Sequence, residues 1–502
     1  MVPVSTGDLV GGSPYESAVR QDKPTLDMAK VWGLTVSAVG NHEFDRSVAD
    51  FNNRVAAPAN GIDWLCANMS SANKSATGKL SHVKDYTIRT VNGKRIGFVG
   101  ALTDALGSVA TPQITEDADL SERAVDALNR VAGELKRSGK VDAVVALLHA
   151  DASAATGLGR DVDLAYTGHT HAVKQGVTDG GAPIYEAGSF GQNMAVQDLI
   201  ITGHGRHAKV QVADVNLGNG TEATAVPGVL NVEGLDAHPR QAAWMSAGVV
   251  SNGSVARSRQ LDTKANYAAR AGNAVIGTLA PGTNFDKRTS VGHEGSVGML
   301  VADANRESIM RNVYAGTRLP VVGFSNDGSL RTKQLDMDED GKVTIREVDS
   351  LMALQFHAAH ETLTGLGLKA VLAQQFHRND DGELEHRWLG ISSNVRYRYV
   401  QCGDGGATCT LGDSDGNGNQ HTGVKATVGI VDLTIDGRPI ADDDLVIIAS
   451  NSYLLQGGDN YSAFRAGSNY GELEMSYNQP LHEYLAAHPK LSAAVPETGT
   501  RA

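Results

Sequence analysis

From Met1 to about Asn216, short runs of aliphatic and β-branched residues alternate with longer stretches of helical spacing. Val2–Thr6, Thr35–Val39, Val141–Leu148 and Val162–Thr167 read as strands, because compact apolar runs bounded by turn residues suit the buried strands of a parallel sheet. Leu120–Arg137 has a helical pattern and leads into the strand at Val141. This ordering predicts an α/β domain over 1–216. Over 217–270 the periodicity weakens and Gly, Ala, Asn and Ser accumulate. A linker is expected there, part of it helical, with Pro239–Met245 as a candidate helix. A second pattern begins near Asn273–Thr278 and mixes strands such as Leu445–Ser450 with helices such as Gly298–Arg311. It predicts a mixed α/β (α+β) domain over 271–490, followed by a tail at 491–502.

The chain of 502 residues is too long for one core and carries a formal charge of −13. An acidic balance argues against a partner such as a nucleic-acid polymer, which needs a broad basic surface to displace counterions. It leaves room for an anionic small molecule met by local cations. No run is long and apolar enough for a transmembrane segment, no signal peptide is visible, and no protein partner is indicated. Of the three cysteines, Cys66 reads as a small buried hydrophobe. Cys402 and Cys409 flank a Gly-rich run and would pair as a local disulfide in an oxidising compartment.

Metal-ligating residue types sit just past the strands. Asp8 follows the first, Gly40-Asn41-His42-Glu43-Phe44-Asp45 the second, His149 closes the third, and Gly168-His169-Thr170-His171 the fourth. Groups at the carboxyl ends of such strands converge on one crevice, so distant residues can share an ion. Carboxylate and amide oxygens mixed with imidazoles suit divalent transition metals better than magnesium alone.

These blocks, in this order, resemble the calcineurin-like metallophosphoesterase domain of the 5'-nucleotidase family. The resemblance implies a metallophosphoesterase-type α/β sandwich and two divalent transition metal ions of the zinc, manganese, iron or nickel class. Asp8 would bridge both ions, Asn41, His149 and His169 would complete one site, and His171 would belong to the other. His42 would act on the phosphate in the transition state and Asp45 would orient it. The implied chemistry is attack of a metal-bound hydroxide on phosphorus. The family's opening Asp-x-His block has no counterpart before Asp8, which leaves two expectations open: a truncated start, or a degenerate enzyme with one complete site.

The resemblance continues in Glu294–Ala304, Ser325–Arg331 and Gln456–Tyr461, which are similar to the substrate-binding domain of the same family. It places Tyr461 on one face of a nucleobase, with Trp388 as the candidate for the other, and Arg331 at the phosphate. Ordinary core aromatics are the competing reading of Tyr461 and Trp388. Asp336, Asp338, Asp340, Thr344 and Glu347, with Gly341 at the sixth position, satisfy the spacing of a calcium loop. The resemblance instead puts a turn into a short strand at Gly341–Thr344, and both readings stay open, a structural calcium among them. The whole implies a hydrolase releasing phosphate from a nucleotide substrate, the nucleoside 5'-monophosphates or related nucleotides, in a periplasmic or extracellular setting. Alternatives are a cyclic-nucleotide phosphodiesterase, a nucleotide-sugar hydrolase, a thiosulfohydrolase, or a nucleotide- or calcium-binding protein without turnover.

Overall fold

The computed structural model describes residues 1–215, 226–231, 252–287, 295–378, 384–401, 410–414, 420–425, 428–492 and 499–501. The chain divides into two compact units. The first comprises Met1–Gly11, Arg20–Gly107 and Pro112–Asn266; the second comprises Gly12–Val19, Ser108–Thr111 and Tyr267–Ala502. Of the expected linker, a helix at Asn252–Ala268 lies among the described residues, while Pro239–Met245 lies outside them.

The first unit is built on two sheets. Strands β1 (Val4–Ser5), β2 (Val36–Ala38), β3 (Asp63–Leu65) and β4 (Val83–Lys84) form a four-stranded parallel sheet in that order. Strands β5 (Tyr86–Val91), β6 (Lys94–Leu102), β7 (Ala143–His149), β8 (Leu164–Thr167), β9 (Val173–Val177) and β10 (Pro183–Ala187) form a six-stranded sheet. Its order is β5-β6-β7-β8-β10-β9, parallel in the middle and antiparallel at both edges. The β5–β6 hairpin turns on Asn92-Gly93, both at positive φ, as a tight hairpin requires.

Strand β7 shows why the apolar run was needed. All of its residues are buried, and alternate side chains serve different layers. Val144, Ala146 and Leu148 join the core with Ala127, Leu128, Val131 and Leu135 of the helix Ala124–Arg137. Val145 and Leu147 join the core with Val36, Ala38 and Leu65 of the four-stranded sheet. Two facing sheets with a helix outside make the α/β sandwich, and the central strands have no solvent face to carry polar residues. Their chemistry is therefore confined to the strand ends.

A polar cluster fastens the edge of the smaller sheet. Asp63 on β3 accepts from Lys84 Nζ at 2.6 Å, Thr87 Oγ1 at 2.7 Å and Arg89 Nη2 at 2.8 Å. Partial burial pushes its carboxyl up, but these donors outweigh that and hold it at about 2. The folded value lies below the unfolded one of about 3.9, so this contribution to stability is complete above about pH 4 and is lost as pH falls toward 2. Acid unfolding followed by circular dichroism should therefore be shallower between about pH 4 and 2 in Asp63→Asn than in the wild type. Equal slopes would show that the cluster does not contribute.

The second unit has a five-stranded mixed sheet in the order Leu389–Ile391, Val321–Asn326, Leu445–Asn451, His357–Thr364, Ser468–Ser476. The helix Gly365–Gln374 contributes Leu368, Val371 and Leu372 to a core shared with Val322, Phe324, Val446 and Ile448 of that sheet. A three-stranded sheet joins Lys342–Thr344, Val275–Leu279 and Lys490–Leu491, and its core includes Val301 and Ala304 of the helix Ser296–Asn312. Thr410–Ser414 pairs with Gln420–Lys425 in a two-stranded ribbon. Cys402 and Cys409, the expected disulfide, lie outside the described residues.

Candidate metal centre

Four side chains from four strand ends of the first unit meet at one point. Asp8 lies past β1, Asn41 past β2, His149 is the last residue of β7, and His169 lies past β8. His149 Nε2 is 3.1 Å from Asp8 Oδ2 and 3.1 Å from Asn41 Oδ1. One donor atom each from Asp8, His149 and His169 falls within 4.8 Å of the others. The two imidazoles meet edge to face with ring centres 5.0 Å apart.

The hydrogen bonding of His149 decides what this cluster is for. Its Nδ1 is 2.9 Å from the carbonyl oxygen of Thr6, which can only accept, so the Nδ1–H donates there. In the neutral ring Nε2 then carries a lone pair, and that lone pair faces a carboxylate oxygen and, in the assigned amide orientation, the oxygen of Asn41. Three acceptors pointed at one another repel unless a cation stands between them. Burial disfavours a charged His149, yet the charge of Asp8 outweighs this and raises its pKa, so a proton is one such cation. Burial also opposes charge on Asp8, but His149 and His42 hold its carboxyl well below the usual range. His169 moves the other way, down to about 4, through burial and the neighbouring His149. It offers a neutral imidazole at ordinary pH. Carboxylate, amide oxygen and two imidazoles are a donor set that fits a divalent transition metal.

Backbone packing leaves no slack. A Cβ on Gly40 would fall 2.3 Å from Asp8 Oδ1 and 2.8 Å from His149 Cε1, so only glycine lets the second loop approach the first.

The remaining residues of the Gly40–Asp45 block divide into two tasks. His42 Nδ1 is 2.9 Å from Asp45 Oδ1, the orienting pair expected of them, and the His42 N–H donates to Asp8 Oδ1 at 2.9 Å. Glu43 had no assigned role in the sequence reading, and the structure gives it one. Its buried carboxylate accepts from the backbone N–H of Asp8 (2.9 Å), Leu9 (2.7 Å), Val10 (3.3 Å) and Gly40 (2.6 Å). One side chain thus binds the Asp8 loop to the Asn41 loop. Burial, followed by the charge of Asp8, raises its pKa to about 7. Glu186 on β10, also unassigned from sequence, is fully buried and accepts from Thr170 Oγ1 (2.5 Å), Ala172 N (3.1 Å) and Ala152 N (3.3 Å). It fixes the loop that carries His169. An acid at a strand end was the only sequence signal for either residue.

His171 stands apart from this group. It is exposed, adopts φ 61°, and sets its ring edge to face with Phe190 at 5.8 Å. Among the described residues, Asp8, His149 and His169 form a group able to share one ion, Asn41 adjoins it through His149, and His171 is not a member of that group.

The nucleotide-binding candidates all fall in the second unit. Tyr461 is only 2% exposed, shares the core with Phe324 and Phe464, and donates its hydroxyl to the Arg387 carbonyl at 2.6 Å. As placed here it is a core aromatic, and the open face that base stacking requires is covered. Trp388 is half-buried and stacks on His386 with ring centres 3.3 Å apart. Arg331 is half-buried, and its Nη1 lies 3.4 Å from the Gly328 carbonyl. The Gly457–Tyr461 turn is held by Asp459, which accepts from Tyr453 Oη at 2.8 Å and Asn326 Nδ2 at 2.7 Å. Asp459 and Asn460 both adopt positive φ there.

The fold and donor set define a metallophosphoesterase-type α/β sandwich followed by a mixed α/β unit. Residues 275–466 match the family described as "5'-nucleotidase, C-terminal domain", and the chain has the architecture of the 5'-nucleotidase family. A solved 5'-nucleotidase precursor from Thermus thermophilus superposes with a TM-score of 0.67 at 15% identity, covering 100% of this chain and 90% of that one. The sulfate thiohydrolase SoxB of the same species superposes with a TM-score of 0.62 at 15% identity, covering 100% and 78%. The cell wall protein Lmo0130 of Listeria monocytogenes is 23% identical over 92% of this chain, which spans 57% of that protein's length.

Proposed function

We propose that this chain is a metal-dependent phosphoric ester hydrolase that releases phosphate from nucleoside 5'-monophosphates or related nucleotides. The observation that carries the reading is His149 Nε2, turned by the Thr6 carbonyl toward Asp8 Oδ2 and Asn41 Oδ1 in a buried site. Asp8, Asn41, His149 and His169 would hold a divalent ion, and His171 together with Asp8 would serve a second. When bound, such ions polarise phosphoryl oxygens and make water a nucleophile near neutral pH. The chain's own residues do the rest. Asp45 fixes the His42 ring through Nδ1, which leaves the chemistry to Nε2, a donor to phosphoryl oxygens as their charge grows. Glu43 and Glu186 keep the ligand loops at fixed spacing.

The nucleotide as substrate is supported by the family match of the second unit and by its structural relatives, a solved 5'-nucleotidase precursor among them. Arg331 and Trp388 are the proposed contacts with phosphate and base, while Tyr461 backs that region from the core. A cell-surface or extracellular setting fits the name of the Listeria relative. No helix among the described residues is long and apolar enough to cross a membrane.

The test is phosphate release by the purified chain with manganese, across AMP and other monophosphates, a cyclic nucleotide, a nucleotide sugar and a thiosulfate ester. His42→Ala should lower the best rate by roughly 10²–10⁴-fold, the usual worth of a positioned acid or base, while manganese uptake stays unchanged. A wild-type chain that takes up manganese but turns over no phosphate ester would refute the reading.

A further inference from the structure

The loop Asp336–Glu347 lies in the second unit and takes no part in the site above. Asp336, Asp338, Asp340, Thr344 and Glu347 stand at its first, third, fifth, ninth and twelfth positions, with Gly341 at the sixth. A run of acids is not by itself a site, and three structural features go further. First, Gly341 adopts φ 75° and its N–H donates to Asp336 Oδ2 at 2.7 Å. The sixth residue thus makes the sharp turn that a twelve-residue calcium loop requires, and the first acid is turned across the loop. Second, positions seven to nine, Lys342–Thr344, form a strand, and the helix Ile345–Leu351 follows at once with Glu347 in its first turn. This exit brings the twelfth residue back toward the first, as the Met337 N–H donating to Glu347 Oε1 at 2.8 Å confirms. Third, Asp336 is only 2% exposed, and its Oδ1 has no hydrogen-bond partner among the described residues. A buried carboxylate oxygen without a donor is destabilising, and a hard cation relieves it.

We propose that Asp336–Glu347 is a calcium-binding loop, with Asp336, Asp338, Asp340 and Glu347 as carboxylate ligands and the strand at Lys342–Thr344 as its rigid side. The ion acts as a clip between that strand and the helix that follows. Several contacts must yield when it binds. Glu347 Oε2 accepts from the Thr344 N–H and hydroxyl, each at 2.8 Å, and Asp340 is paired with Lys342 Nζ at 2.8 Å. Residues 329–335 form no α-helix leading into the loop, unlike a full helix–loop–helix hand. Both features place the affinity at the weak end of such loops, about 10⁻⁴–10⁻³ M.

The test is calcium uptake by the full chain in equilibrium dialysis, with calcium chloride as the only added divalent salt. Asp338 and Asp340 are exposed and outside every core cluster, so the Asp338→Asn/Asp340→Asn double variant should fold. The wild type and Asp8→Asn should both take up calcium at the loop, the double variant should lose one equivalent, and Lys342→Ala should bind several-fold more tightly. Calcium should raise the melting temperature of the wild type and leave the double variant unmoved. No uptake at millimolar calcium, or uptake unchanged in the double variant, would overturn the proposal. Neither result bears on phosphate release, because the residues tested lie outside the metal centre of the first unit.

Discussion

Asp8→Asn should reduce phosphate release by at least about 10³-fold, more than the roughly 10–100-fold that follows loss of a residue which only orients a ligand. Asparagine is the informative replacement. Asp8 sits at φ 55°, a conformation that most side chains avoid and asparagine accepts, so the backbone of the loop is preserved. The exchange removes one charge and keeps one oxygen. It also removes the anion that holds His149 toward its protonated form. Manganese uptake at the centre should fall with activity while the melting temperature holds. A variant that keeps manganese and loses only turnover would place Asp8 outside the ligand set. A variant with unchanged activity would refute the proposed centre.

Glu43→Gln should be the change most damaging to stability at a residue outside the proposed ligand set. The carboxylate receives four backbone donors, and an amide offers one oxygen while turning an NH₂ group toward the others. One or two buried N–H groups would be left without a partner, at about 1–3 kcal/mol each, so a loss of about 2–4 kcal/mol is expected in urea unfolding. The Asp8 and Asn41 loops would separate, and phosphate release should fall with metal affinity and recover in part at high manganese. Recovery distinguishes a residue that sets loop spacing from one that meets the substrate. Full activity at low manganese would show that the loops hold without it.

The strand-end rule made the centre legible in sequence. Buried strands have no other place for polar groups, so the four polar blocks could be read together from their positions, while the choice of Asp8, Asn41, His149 and His169 as one set came from the family resemblance; the structure places these four side by side. Elements with strong patterns were equally readable: the run Val141–Leu148 became Ala143–His149, and Gly298–Arg311 became part of the helix Ser296–Asn312. Glu43 and Glu186 were not readable, because their value lies in accepting backbone N–H groups from loops distant in sequence. No side-chain pattern records that. The core placement of Tyr461, the competing reading in sequence, could not be chosen in advance for a related reason. An aromatic after a Gly-Gly-Asp turn can point outward or inward, and only the packing around Phe324 and Phe464 selects the inward course. The Asp336–Glu347 segment shows the opposite case, in which strand, turn and ion-loop readings all describe one piece of chain.

Asp8, His169 and His171 share a left-handed backbone, at φ 55°, 78° and 61°. Most side chains with a Cβ avoid that geometry, and aspartate, asparagine and histidine are among the few that adopt it with some frequency. The backbone thus limits these positions to glycine and a short list of polar side chains, and the proposed ligands are drawn from that list. A redesign that put glycine at all three would ease the backbone but remove three of the five proposed ligands, leaving only Asn41 and His149 at the centre.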